Sequence, residues 1–577
     1  MDLENRIFPI LQWLPGYKKS YLTGDIFAGL TVGVMLIPQG MAYALIAGLP
    51  PVYGLYAAIV PQLIYALLGT SRQLAVGPVA MDSLLVATGV SLLAMEGTEA
   101  YVGFTIMLAF LVGIFQMLFG LFKMGFITNL LSRPVISGFT SAAAIIIALN
   151  QLKYLLGVEV TKSTRIHEVV IDASTKIQDT HLLTFGIGLV GIIVIKGVKR
   201  INAMIPGALI AVVLGIVTIY FFQLDEKGVA VVGTIPSGMP QFLLPHFSLG
   251  QLSELIPLAL TIAVVAFMES YSVAKSIEAK RRDHKVNPNR ELIGLGAANF
   301  FGSLFQSYPI AGGFSRSAVN DQAGANTPLS SVISAGLIAL TLLFLTPLFY
   351  FLPNAILASI IMVAVYNLID FSYARTLWRE NKVEFVLLFV TFIITLSFSM
   401  VPGIVSGVVL SILILLYRAA NPHIAVLGRL RGRTEFRNVK RFSDLEVWPD
   451  KLIVRVDAAL TFINIQFLKD FLELELSRNK DIKAVIIDAA SVSYVDATAA
   501  LGLTEIVHNL KQRQIDLLLT DVIGPVRDIL FRTGLLKEIG VDNIYLSLND
   551  AIERASHLRY QNREAAIQHG LLEEGTM

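Results

Sequence analysis

From residue 22 to about residue 418 the chain is a near-continuous series of apolar runs, broken only by short Gly/Pro-rich joints. A membrane-spanning helix needs about 20 apolar residues. About fourteen segments meet or approach that length, near 22–46, 52–68, 78–94, 101–121, 134–149, 182–196, 204–222, 252–277, 291–305, 315–325, 329–350, 354–369, 383–400 and 403–418. Those starting at 78 and 315 follow Gly/Pro-marked breaks and are shorter than a full span. Composition agrees with a membrane protein. The chain is 55% hydrophobic and 15% charged, against about 25% charged in an average soluble protein.

The same composition excludes several classes. There is no Cys, so disulfide, zinc-thiolate and thiol chemistry are ruled out. A net charge of +2 argues against a nucleic-acid binder, which shows a strongly basic face. No Walker A motif and no H-E-x-x-H is present, and the His residues form no spaced ligand set. The expectation is a protein that is not an enzyme and uses no cofactor and no metal. FGIGLVG carries G-x-G-x-x-G at 186–191, but inside an apolar run with no strand before it. Small residues for helix packing explain it better. The N-terminal MDLENRIFPILQWLPGYKKS lacks a signal-peptide pattern.

Positive residues cluster between segments: Lys18 and Lys19; Lys196, Lys199 and Arg200; Lys280, Arg281 and Arg282; Arg375, Arg379 and Lys382; Arg418, Arg429, Arg431 and Arg433. All fall on one side if the span count is even and the N-terminus is cytoplasmic. The expected domains are a cytoplasmic N-terminal segment (1–21), a transmembrane domain (22–418) and a cytoplasmic linker with a small domain (419–577). From about 450 the tail alternates strand and helix patterns: KLIVRVDAALTF, 465–477, AVIIDAA, DATAALGLTEIVHNLKQR, IDLLLTD, then helices through PVRDILFRTGLL and NDAIERASHLRY. That order implies a small α/β layer domain.

The membrane part repeats itself in outline. The first segment carries IPQGMAYA with Gln39, and the eighth carries FMESYSVA with Glu269. The third opens with AVGPVAMDS (Gly77, Pro78), and the tenth with PIAGGFSRS (Gly312, Gly313). Seven segments per half invert the second half relative to the first. Transporters built this way hold substrate at the midplane between discontinuous helices. A half-helix beginning inside the membrane exposes N–H groups with no intrahelical partner, and its dipole puts partial positive charge there. Two such ends facing each other make an anion site without a metal. Arg316 adds a full positive charge, and Ser315 and Ser317 are candidate hydroxyl donors.

These stretches, and PQGMAYALIAGLPPVYGLYAAIVPQLIYALLGTS, LAVGPVA, ISGFTSAAAIIIALNQLK, YPIAGGFSRSAVN and NPHIAVLGRL, resemble the sulfate permease (SulP) family of anion transporters over nearly the whole chain. The tail resembles the STAS domain that follows the carrier in that family. The resemblance implies an α-helical membrane protein of 14 transmembrane segments in two inverted seven-helix repeats, divided into core and gate, usually a homodimer, followed by a cytoplasmic α/β STAS domain. It implies an anion site at Gln39 and Tyr43 on the first helix. The third-helix opening adds Ala75, Val76, Gly77, Pro78, Val79 and Ala80. The tenth adds Ala311, Gly312, Gly313, Phe314, Ser315 and Arg316. Glu269 matches a carboxylate position that couples transport to protons in similar plant sulfate transporters.

Each residue has a plainer reading. Intramembrane carboxylates are costly and functional by default, so Glu269 reads as a proton site rather than a structural one. Burial disfavours a charged carboxylate, and protonation removes its repulsion of a nearby anion. Arg316 contacts the anion, or else pairs permanently with Glu269 or Asp82. Asp82 is open: a second proton site, an Arg partner, or a carboxylate that suits a helix start. Sodium coupling would need oxygen ligands, for which Ser270 and Ser272 are the nearest hydroxyls. In SYVDATAALG, Asp496 is followed by Ala497 and Thr498, where relatives have phosphorylated Ser/Thr. Thr498 is the regulatory candidate, with structure or docking of a cytoplasmic partner as the default.

The expected function is a secondary active anion transporter of the inner (plasma) membrane, multi-pass, with both termini cytoplasmic. It takes up a small inorganic anion, sulfate first, together with protons. The alternatives are a bicarbonate or dicarboxylate carrier, sodium-coupled or exchanging, an anion channel, and a membrane sensor signalling through STAS. Dipoles and one Arg do not name the anion.

Overall fold

The computed structural model describes residues 9–129, 132–158, 166–201, 206–245, 249–366, 368–398 and 400–556. The extreme N-terminus and the end of the NDAIERASHLRY helix therefore lie outside the described residues. The chain divides into two compact units, one up to Ser411 and one from Ile412.

Every apolar segment of the first unit is helical: α1 (Lys19–Ile46), α2 (Val60–Leu68), α3 (Ala80–Val90), α4 (Glu99–Leu121), α5 (Arg133–Asn150), α6 (Leu182–Ile201), α7 (Gly207–Phe222), α8 (Leu249–Arg281), α9 (Pro288–Ser303), α10 (Phe314–Gln322), α11 (Leu329–Leu340), α12 (Asn354–Tyr366), α13 (Lys382–Ser397) and α14 (Met400–Ala420). Among the described residues, seven helices are long and apolar enough to cross a membrane by length and composition. The α3 and α10 helices are much shorter, because each starts at a break marked by glycine and proline. The α11 helix loosens into a wider turn over Thr341–Leu345 ahead of Pro347, since proline cannot donate to the preceding turn.

The helices sort into two packed groups. In one, α1 lies against α10 and α11, and α9 lies against α2, α4 and α8. In the other, α5 lies against α12 and α13, and α6 against α7 and α12. Lipid removes the hydrophobic drive between helices, so close backbone approach at small residues holds them. Gly113 of α4 and Gly296 of α9 show it. A Cβ at Gly113 would lie 2.7 Å from the Gly296 carbonyl oxygen, and one at Gly296 would lie 2.8 Å from that of Gly113. The 186–191 glycines act likewise: Gly191 faces Ile356 and Ser359 of α12, and the Ser359 hydroxyl donates to the Gly188 carbonyl at 2.7 Å.

Three buried carboxylates fasten the loops around the breaks. Glu291, in the first turn of α9, accepts from Tyr65 Oη at 2.7 Å, Thr70 N at 2.7 Å, Ser71 N at 3.0 Å and the Thr70 hydroxyl. It fixes the loop entering α3. Asp25 of α1 accepts from Asn326 N at 2.7 Å, Thr327 N at 3.0 Å and Thr327 Oγ1 at 2.7 Å. It fixes the loop leaving α10. Asp321, at the end of α10, takes Lys280 Nζ at 2.7 Å and the Arg281 guanidinium from the end of α8.

Two short strands, β1 (Val76–Gly77) and β2 (Ala311–Gly312), belong to the first unit. The second unit holds a seven-stranded sheet with β3 (Ile424–Leu430) between β4 (Phe436–Asn438) and β6 (Lys451–Val456), and with β5 (Leu445–Glu446) beside β3. Then β7 (Ala484–Asp488), β8 (Asp516–Thr520) and β9 (Ile544–Tyr545) follow β6 in that order. The last four run parallel, joined by helices α15 (Ile465–Arg478), α16 (Ala497–Gln512), α17 (Gly524–Arg532) and α18 (Leu535–Ile539). Leu468, Leu472, Val507, Leu510 and Leu530 close the core against Val485, Ile487 and Leu519. Two expectations differ from the structure. The stretch 419–450, expected as a linker, supplies β3, β4 and β5, because Ala425 and Leu427 bury their side chains. PVRDILFRTGLL forms two helices, since Gly534 at φ 76° turns the chain through a left-handed conformation.

The four-bond seat of Glu291 predicts a measurable cost. Glu291→Gln points an amide N–H₂ at existing donors and is expected to lose about 1–3 kcal/mol of stability. Removing the exposed Lys275–Glu278 pair by Lys275→Gln should cost under about 1 kcal/mol. Thermal unfolding of both variants in detergent, followed by size-exclusion chromatography, checks the difference.

Candidate functional site

The site forms where α3 and α10 begin. Val79 and Gly313 are their N-caps, and neither helix start has a side-chain cap bond. The first-turn N–H groups are therefore open toward the break. The residues just before each helix pair with one another. β1 (Val76–Gly77) runs antiparallel to β2 (Ala311–Gly312), with Val76 opposite Gly312 and Gly77 opposite Ala311. Gly313 N donates to Ala75 O at 3.0 Å. The Ser317 hydroxyl accepts from Ala75 N at 2.9 Å and donates to Gly313 O at 2.8 Å. From α8, the Ser270 hydroxyl accepts from Gly312 N at 2.7 Å. Asn299 of α9 accepts from Ile310 N at 2.9 Å and donates to Ile310 O at 3.2 Å.

Arg316 lies across this ladder and is only 2% exposed. Its Nη1 donates to Pro78 O at 2.7 Å, tying α10 to the opening of α3. Its Nε and Nη2 are buried and have no partner. The guanidinium folds back over Gly313, where a Cβ would sit 2.7 Å from Cζ and 2.8 Å from Nη2. A side chain at 313 would displace it from this position. A Cβ at Gly77 would meet Nη2 at 3.6 Å, so the two glycine openings flank the same charge.

The carboxylates lie nearby. Glu269 is half-buried on α8, with Oε2 buried and unpartnered. Asp82, in the first turn of α3, is fully buried and neither of its oxygens has a partner. Among the described residues Arg316 makes no ion pair with either, so a standing Arg–carboxylate bridge is not formed. Arg316 acts electrostatically on Glu269, Tyr43 and Tyr308, and Asp82 lies within electrostatic reach of Glu269 and Tyr308. Tyr43 and Gln39 are buried on α1, at 7% and 9% exposure.

The remaining expected site residues have distinct places. Val79 and Ala80 are buried at the opening of α3. Phe314 and Ser315 are exposed in the first turn of α10, Phe314 at 62%. Ser317, expected as a hydroxyl donor to the anion, has its hydroxyl engaged by Ala75 and Gly313. The hydroxyls considered for sodium are no better placed: Ser270 is bonded to Gly312 N and Ala266 O, and Ser272 is exposed. Sequence reasoning missed Tyr308, which is fully buried with its Oη 3.3 Å from Ser83 Oγ, and the serine and asparagine supports. The signal for Tyr308 was its place at the head of YPIAGG.

In the second unit, Asp496 caps α16 by accepting from Ala499 N at 2.7 Å and also accepts from Phe462 N at 2.8 Å. Thr498 is exposed in the first turn of that helix.

Two half-helices meeting over a buried arginine define a transporter-type membrane carrier with a STAS-like tail, and the comparisons with known proteins agree. The profile of the sulfate permease family matches residues 22–391, and that of the STAS domain matches residues 443–551. The chain belongs to the sulfate permease family. It is 39% identical to the "Probable sulfate transporter 4.2" of Arabidopsis thaliana, across 98% of this chain and 86% of that one. It is 34% identical to a probable sulfate transporter of Mycobacterium tuberculosis, across 94% and 98%. Its fold superposes on the murine solute carrier 26 family member A9 anion transporter in the inward-facing state, with TM-score 0.90, 26% identity, and 96% and 95% of the two chains covered. These relatives are transporters, not enzymes.

The Gly313 contact gives a direct test. Gly313→Ala drives a methyl group into the guanidinium and is expected to weaken anion binding at least about tenfold. Gly103→Ala, on an open face of α4 where a Cβ meets nothing within 4 Å, should bind normally. Calorimetric titration of both variants with sulfate in detergent makes the comparison.

Proposed function

We propose that the protein takes up a small oxyanion, sulfate first, by proton symport. The observation that carries this is the buried Arg316, whose Nε and Nη2 lack partners between two uncapped helix starts. A guanidinium fork with two free edges suits an oxyanion, and the helix dipoles add partial positive charge. The sulfate transporters among the relatives favour sulfate as cargo.

Glu269 is the proton-coupling residue in this reading. An ionised Glu269 neutralises Arg316 and repels an anion, whereas a protonated one releases the arginine to bind it. Loading is then favoured when proton and anion arrive together. The helix group containing α1, α3, α8 and α10 carries the site and moves against the group containing α5, α6, α12 and α13, the rocking expected of inverted-repeat carriers. We place the protein in the cell inner membrane as a homodimer with both termini cytoplasmic. The domain limits are a segment 1–21, a transport domain 22–418 and a linker with STAS domain 419–577. Thr498, exposed beside a helix N-terminus, is the position for regulation or docking of a cytoplasmic partner.

Proteoliposome uptake of labelled sulfate tests the mechanism. Wild-type uptake is expected to rise when the outside is made acidic, and Glu269→Gln should respond to the gradient less steeply than wild type. A wild type that ignores the gradient would sink proton symport. Arg316→Ala is expected to raise the sulfate Kd about 10- to 100-fold, the range for losing a charge-assisted hydrogen bond. Unchanged affinity would remove Arg316 from the anion site.

A further inference from the structure

Asp82 has no role in the mechanism above, and although a carboxylate in a first helical turn suits the dipole, no hydrogen bond holds this one in place. It is fully buried, and both of its oxygens lack a donor. Asp25, Glu291 and Asp321, the structural acids of the same unit, all have several donors each. The N-cap position of α3 is taken by Val79, so Asp82 is not the capping residue. The ionisable groups that face it are Glu269 from α8 and Tyr308 from the segment ahead of β2, with Arg316 of α10 and Tyr43 of α1 next to those two. The Tyr308 hydroxyl bonds Ser83, the residue after Asp82, not Asp82 itself.

Charge balance at the site then becomes decisive. With both carboxylates ionised, one positive group stands against two negative ones, and a dianion would enter a site already negative. With only Glu269 protonated, Asp82 still holds a bare negative charge in the first turn of α3, at the helix start offered to the anion. Protonating Glu269 releases Arg316, and only when Asp82 is neutral as well does the anion meet no carboxylate charge at either helix start. A bare carboxylate without hydrogen bonds is costly to bury, and a neutral one lifts that cost.

We propose that Asp82 is a second proton-binding group of the transport cycle, so that a divalent oxyanion is carried together with two protons. Both protons enter with the anion from the acidic side and leave with it on the other, so the loaded step moves no net charge. This rests on the proton-symport reading of the site and adds its stoichiometry.

The test is the equilibrium accumulation of labelled sulfate in proteoliposomes, with membrane potential clamped at zero by potassium and valinomycin. A tenfold proton gradient should drive about hundredfold accumulation in the wild type and about tenfold in Asp82→Asn. Asp82→Ser is a second uncharged variant, so one misfolded protein does not decide the outcome. Asp82→Glu should keep the wild-type dependence. As a readout independent of transport, the limiting slope of log sulfate Kd against pH in detergent, reached where the unliganded protein has both groups ionised, should be two in wild type and one in Asp82→Asn. If the variants keep the two-proton dependence and lose only thermal stability, Asp82 is a structural residue and the inference is wrong. It is also wrong if the wild type itself follows one proton. If the wild type shows no dependence on the gradient, the symport reading fails, a result distinct from either.

Discussion

Breaking a helix inside a membrane leaves backbone groups that lipid cannot satisfy, and the whole site depends on how this chain meets that demand. It breaks two helices at one depth and lets the two breaks satisfy each other. Val76–Gly77 and Ala311–Gly312 form a two-residue antiparallel ladder. Ser317, Ser270 and Asn299 supply bonds that so short a ladder cannot. Its strands come from the two halves of the membrane unit, so their antiparallel sense matches the inversion of the repeats. Once that ladder exists, the starts of α3 and α10 are held together, and their free N–H groups converge without any added machinery.

That arrangement separates the carboxylates of the membrane unit into two kinds. Asp25, Glu291 and Asp321 sit among N–H, hydroxyl or basic partners and hold loops in place. Glu269, within electrostatic reach of Arg316, and Asp82, within reach of Glu269, have buried oxygens left bare. A buried polar atom without a partner is expensive, and a chain able to satisfy three acids had the means to satisfy five. In the function we propose, the bare oxygens and the two bare nitrogens of Arg316 serve mobile cargo, a proton on one side and an oxyanion on the other. The glycine at 313 belongs to the same design, because any side chain there would push the guanidinium out of the break.

Much of this was legible in the sequence, for a physical reason. Charges inside apolar runs are conspicuous, so Glu269, Arg316 and Asp82 stood out, as did the Gly/Pro marks at the breaks. Neutral supports were not legible. Ser270, Asn299 and Tyr308 look like ordinary residues of a membrane helix or joint, and their importance comes from partners far along the chain. Glu291 lies at a helix edge, where a carboxylate reads as solvated. In the tail, β3 escaped notice because its alternation is short and flanked by arginines.

What the sequence determined by itself is what hydropathy and local chemistry can encode: many apolar helices, two of them started late, a charged α/β tail, and one positive charge, Arg316, at the second of the two openings. What only the tertiary structure decided is which groups meet. It assigned the Ser317 hydroxyl to backbone rather than cargo. It left Phe314 and Ser315 exposed, kept Arg316 free of a permanent carboxylate partner, and left both oxygens of Asp82 bare. Those outcomes depend on contacts between residues more than two hundred positions apart, as between Pro78 and Arg316. No local pattern carries that information, because the energy of a buried polar group is set by the neighbours that folding brings to it.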